Sequence, residues 1–156
     1  SPLTGDLIAE QIKATTGINA TTTSQALITA LNSLNSRKIV LLSPYEEDVN
    51  ASEIIFFRHH GIDVIKERSF PPALGGRYAD ATPDEWKKRV LSMRDPDADA
   101  YFLSCTNIRC VSVIEELESE LDRPVITSNS ATMWHTLRMG GFRDSVQGYG
   151  QLLRSH

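Results

Sequence analysis

The sequence predicts an α/β fold in which a parallel sheet is covered by helices on both faces. Two observations carry this. Four short apolar runs alternate with segments of helical period, and three of those runs end in clusters of hydroxyl and amide residues. The 156 residues suit one ordinary domain, and 40% hydrophobic with 23% charged residues is the balance of a globular chain.

The first strand is expected around Val40-Leu41-Leu42, after Arg37-Lys38 and before the breaker Ser43-Pro44. Ile62 to Ile65, Ala100 to Leu103 and Pro124 to Thr127 repeat the pattern. Helices are expected over Gly5 to Thr16, Ser24 to Leu34, Glu46 to His60, Pro83 to Met93 and Ala131 to Met139. A further one is marked by Cys110, Ile114, Leu117 and Leu121, an apolar stripe beside Glu115, Glu116, Glu118 and Glu120. Ser69 to Ala81, with Pro71-Pro72 and Gly75-Gly76, reads as a long connection. From Gly140 to His156 periodicity is weak, with Gln151-Leu152-Leu153 suited to docking a last turn.

Charge and composition narrow the function. The net charge of -4 and the lack of a basic run argue against nucleic acid as a partner. No apolar stretch approaches the roughly 20 residues that span a bilayer, and no signal-peptide pattern opens the chain, so a cytoplasmic location is expected. Cys105 and Cys110 have neither redox-pair nor zinc spacing and read as free thiols.

Ligands of parallel α/β sheets bind beyond the carboxyl ends of the strands. The candidate loops are therefore Ser43-Pro44-Tyr45, Ser104-Cys105-Thr106-Asn107 and Thr127-Ser128-Asn129. A thiol at a strand end facing a helix N-terminus is stabilised as thiolate, and Cys105 has that position; it would equally serve as a small buried hydrophobe. Cys110, on the apolar stripe, reads as core. Tyr45 offers a phenol O–H to an anion or simply caps a strand, and Ser128 with Asn129 reads as a helix N-cap. His59 and His60, before Gly61 at an expected helix C-terminus, are weak candidates for a metal site or base, His135 reads as structural, and no metal site is expected.

The runs Ser104-Cys105-Thr106-Asn107-Ile108-Arg109, Pro124-Val125-Ile126-Thr127-Ser128-Asn129 and Trp134-His135-Thr136-Leu137-Arg138 resemble the C-terminal half of maleate isomerases and arylmalonate decarboxylases, in the aspartate/glutamate racemase superfamily. Ala20 to Ser24 with Ser43-Pro44-Tyr45 is similar to the family's middle section, and Gly148 to Leu153 to its end. The resemblance implies a fold of two similar halves with the active site between them. It divides the chain into residues 1–36, trailing helices of a mostly absent N-terminal half, a cysteine-bearing α/β domain at 37–139, and a tail at 140–156.

The same resemblance implies a cofactor-independent isomerase, racemase or decarboxylase acting on a small dicarboxylic-type acid. Cys105 is then nucleophile or acid/base, and Tyr45, Thr106, Asn107 and Thr4 contact the substrate. Ser43 and Asn129 support the loops, and neither metal nor organic cofactor is required. The alternative is a non-catalytic carboxylate-binding or regulatory domain, and an unrelated flavodoxin-like domain is disfavoured by the lack of a glycine-rich phosphate loop. Surface left by an absent half predicts self-association into a homo-oligomer and an inactive isolated chain.

Overall fold

The computed structural model describes residues 4–155, apart from the Thr4 side chain. Helices α1 (Thr4–Thr16) and α2 (Thr23–Ser33) lead into β1 (Lys38–Ser43), α3 (Glu47–His59) and β2 (Asp63–Ser69). There follow α4 (Pro83–Ser92), β3 (Ala100–Leu103), α5 (Ile114–Leu121), β4 (Val125–Thr127), α6 (Ser128–Met139) and α7 (Gln151–Ser155). The strands form one parallel sheet in the order β2-β1-β3-β4, as the alternation predicts.

Strand alternation divides the core into two layers. Val40, Leu42, Tyr101, Leu103 and Val125 face Trp86 and Val90 of α4 and Ile114 and Leu117 of α5. Ile39, Leu41, Phe102 and Ile126 face Leu27 and Leu31 of α2, Phe57 of α3 and Trp134 of α6. Each fully buried side chain of this size contributes about 1.5–3 kcal/mol of hydrophobic stabilisation. Thus α2 is part of the same core as the strands. Thr22 caps it, accepting the Gln25 N–H at 3.3 Å while the Gln25 side chain returns to the Thr22 N–H at 3.0 Å.

The tail docks where Gln151-Leu152-Leu153 suggests. Leu152 and Leu153 are buried in the α2–α3–α6 layer. Glu115 accepts the Gly150 N–H at 3.1 Å, and Glu118 accepts those of Gln151 at 2.7 Å and Val125 at 2.9 Å. Arg154 pairs with Glu115 at 2.9 Å. Of the four acidic residues beside the apolar stripe, Glu115 and Glu118 therefore hold the C-terminal turn.

Some local expectations change. Cys110 lies before α5, at the start of a 3-10 turn over Val111–Val113, because the chain needs residues 106–110 to leave the sheet before the helix begins. Helix α6 starts at Ser128, with Thr127 as its N-cap: Thr127 accepts the Ser130 N–H at 2.9 Å and Ser130 accepts the Thr127 N–H at 2.9 Å. Ser128 and Asn129 are inside the first turn, which frees their side chains for neighbouring loops.

Candidate active site

The topology locates the site. From β1 the chain runs through α3 to β2 at one edge, then returns across the sheet to β3 on the other side of β1. The carboxyl ends of β1 and β3 are thus adjacent while their loops diverge, which opens a crevice at the switch point. Ser43 and Tyr45 stand on one side of it, Ser104 and Cys105 on the other.

Cys105 ends β3 with φ +108°, a left-handed backbone that non-glycine residues seldom adopt. Asn35 and Asp122 are the other non-glycine residues with positive φ among those described, and their side chains tolerate it; a thiol has no such compensation. The conformation is held from both sides. The Cys105 N–H donates to Ser128 Oγ at 3.1 Å, and the Asn107 N–H donates to Cys105 Sγ at 3.3 Å. Asn129 Nδ2 donates to the Thr106 carbonyl at 3.0 Å, so the first turn of α6 grips the loop twice. The backbone of Cys105 is tied to the first turn of α6, while its side chain belongs to the buried cluster that includes Val113 and Ile114 at the start of α5.

On the opposite side, the Tyr45 N–H donates to Ser43 Oγ at 3.1 Å, and the Ser43 hydroxyl donates to Asn50 Oδ1. Asn50 passes the chain on to Glu67 at 2.8 Å. Tyr45 is half-buried, its ring edge-on to Tyr78 with centroids 5.5 Å apart, so the long connection after β2 supports the phenol. Burial raises the phenol pKa, and its contact with Cys105 and the nearby Glu53 carboxyl raise it further, against a lowering by Ser104. Tyr45 therefore stays an O–H donor. Burial also pushes the Cys110 thiol up to about 12, with Cys105 adding to the effect, which keeps Cys110 protonated in the core.

Tyr45, Ser104, Thr106 and Ser128 line an open cavity of about 630 Å³ whose remaining wall includes Phe56, Phe57 and Phe102. Its floor holds one residue that sequence reasoning missed. Glu53, on the inner face of α3, accepts the Ser104 hydroxyl at 2.5 Å through Oε1, while Oε2 is buried without a partner. Burial pushes this carboxyl above its ordinary value, partly offset by the Ser104 bond. Asn50, Glu53 and Phe57, at steps of three and four, place two polar groups on the inward stripe of α3, a pattern that marks them.

Of the remaining candidates, Asn107 is exposed and reaches the thiol through its backbone. The Thr4 side chain lies outside the described residues. His60 and His135 line a different cavity of about 310 Å³, where His135 Nδ1 meets Thr21 Oγ1 at 3.0 Å, and the rings of His59 and His60 lie 5.2 Å apart. Among the described residues no histidine, cysteine or carboxylate cluster could hold a metal, and no helix is long and apolar enough to cross a membrane.

A family model for arylmalonate decarboxylase matches residues 4–153. This chain belongs to the arylmalonate decarboxylase family. It is 31% identical over 146 residues to the arylmalonate decarboxylase of Bordetella bronchiseptica, covering 90% of this chain and 60% of that protein. With a maleate isomerase of Pseudomonas putida it shares 24% identity over 133 residues, 85% of this chain and 53% of the relative. The crystal structure of the maleate isomerase Iso from Pseudomonas putida S16 superposes with a TM-score of 0.91 at 25% identity, over 97% of this chain and 63% of that one. The chain thus spans about half to three-fifths of the length of these curated relatives. Family membership and fold agree with the resemblance read from the loops around Cys105 and Asn129.

Proposed function

We propose that this chain carries the Cys105 side of a cofactor-independent isomerase or decarboxylase active site that takes a small dicarboxylic-type acid. The observation that carries the reading is the placement of Cys105, held at positive φ at the switch point with Tyr45 packed against the buried cluster that contains it. A backbone conformation of this cost persists where the position of the side chain matters.

In this reading Tyr45 donates its O–H to a substrate carboxylate, with Thr106 and Asn107 beside it and Thr4 as a further contact. Ser43 and Asn129 hold the two loops. As charge builds on the carboxylate during reaction at the α-carbon, these donors stabilise the enediolate. The Cys105 S–H then gives its proton to that carbon, whose electron pair forms the new C–H bond, and the thiolate recovers a proton from water. An isomerase or racemase uses the same thiol as the proton donor on one face.

The reading extends to the division of the chain at residues 36 and 139, to an active site completed by further protein, and to cytoplasmic location. Exposed Leu7, Ile8 and Ile12 on α1 support self-association, which sedimentation measures. The isolated 156-residue chain is then inactive.

The test is turnover of maleate and of an arylmalonate by the protein with its active site completed by the further half, and by its C105A variant. Loss of at least about a thousandfold supports the assignment, since removing a reacting group is not compensated by the rest of a site. Undiminished turnover in C105A would falsify it. Dicarboxylate binding with no turnover of either acid in the wild type would point to a non-catalytic carboxylate-binding domain.

A further inference from the structure

The cavity beside Cys105 presents a problem of charge. Among the described residues lining it none is Lys, Arg or His, and the one carboxyl belongs to Glu53. An anionic ligand brought there would meet a like charge if Glu53 were ionised, and like charges at close range strongly disfavour double ionisation. Moreover, an ionised carboxylate with one oxygen buried and unpartnered would bear a large desolvation cost.

Hydrogen-bond counting shows what the protonation state decides. A hydroxyl has one proton to give. When Glu53 is ionised, the Ser104 proton is committed to Oε1, and Ser104 can then only accept at the cavity wall. When Glu53 is protonated, its O–H donates to Ser104 Oγ, and the Ser104 O–H is free for a ligand in the cavity. The change takes up one proton and reverses the direction of the Glu53–Ser104 hydrogen bond.

We propose that Glu53 is a positioning residue of this site, a neutral carboxyl that acts through Ser104 so that the Ser104 O–H is left to donate to a bound carboxylate beside Tyr45. The inference rests on the reading of the site given above and adds that dicarboxylate binding is linked to one proton. Around Glu53, Tyr45 and Cys105 are the titratable groups at the ends of β1 and β3; Glu67 of β2 is engaged by Asn50; α1 and α2 contribute the hydroxyls of Thr22 and Ser24 and apolar side chains. The direction in which burial moves the Glu53 carboxyl is the one required.

The experiment pairs infrared spectroscopy with malonate binding on the full chain. A protonated-carboxyl carbonyl band at neutral pH, absent in E53Q, is expected in the wild type. Malonate affinity should fall about tenfold per pH unit above the midpoint at which that band titrates, the slope of a single linked proton. E53Q, whose amide N–H donates to Ser104 at every pH, should bind malonate with a flat profile. S104A, which keeps the carboxyl and its charge, should keep the band and the pH dependence while binding malonate more weakly at every pH, which covers the case in which E53Q fails to fold; S104A binding as tightly as the wild type overturns the proposal.

Absence of a Glu53 carboxyl band at neutral pH overturns the proposal, and so does an E53Q profile that follows the wild type. Failure of the Cys105 assignment is a separate outcome: C105A would keep its turnover while the band and the flat E53Q profile remained.

Discussion

Replacing Cys105 by glycine and by alanine isolates the backbone cost of holding the thiol in place. Both variants remove the side chain that fills the buried position, and alanine keeps Cβ. At an ordinary position glycine is less stable than alanine by about 0.5–1 kcal/mol, because its unfolded chain is freer. At φ +108° the balance reverses, since a side chain there costs on the order of 1–3 kcal/mol that glycine avoids. Subtracting the two effects leaves C105G more stable than C105A by about 0–2.5 kcal/mol, centred near 1 kcal/mol. For a chain of this length that is roughly 2–4 °C in Tm per kcal/mol. Urea and thermal denaturation of the two variants under identical conditions read the difference. C105A more stable than C105G by the usual margin would refute the reasoning, and with it the claim that the thiol sits in a strained backbone.

Three further predictions follow from the same geometry. Y45F removes the phenol donor while keeping the ring against Tyr78, and kcat/KM of the protein with its active site completed should drop by about a hundredfold, the scale for one donor to a developing oxyanion. E118A leaves the N–H groups of Val125 and Gln151 without their acceptor and should cost about 2–4 kcal/mol in urea denaturation, two bonds at 1–2 kcal/mol each. E53Q should change how stability depends on pH. Because burial raises the folded-state pKa of Glu53, the folded chain retains a proton that the unfolded chain has released, so wild-type stability falls as pH rises from the ordinary glutamate value through the raised one. E53Q removes that contribution, and its Tm advantage over wild type should grow across the same window; an advantage that shrinks contradicts the buried acid.

Much of the fold is legible in single residues. Val40-Leu41-Leu42 between Arg37-Lys38 and Ser43-Pro44 has the length and composition of a strand buried on both faces, and β1 runs over Lys38–Ser43. Thr82-Pro83 with Glu85 marks the start of α4 because capping depends on neighbours three residues apart. Local chemistry of this kind also locates the loops that meet at the crevice, and it singles out Cys105 as a strand-end thiol.

The rest depends on contacts between residues far apart in sequence. Whether Cys105 is strained is a backbone angle set by Ser128 and Asn107, and no residue pattern encodes it. Glu53 looks like one more charge on an exposed helix until α3 packs over the sheet and brings it to Ser104, 51 positions away. Glu115 and Glu118 look like a solvated face until the tail returns to them. Apolar periodicity reports which side of an element avoids water, and this is a local property of the chain. Which polar group an acid meets inside, and therefore whether it keeps its proton, is decided when the strands take the order β2-β1-β3-β4 and desolvation acts on what they enclose.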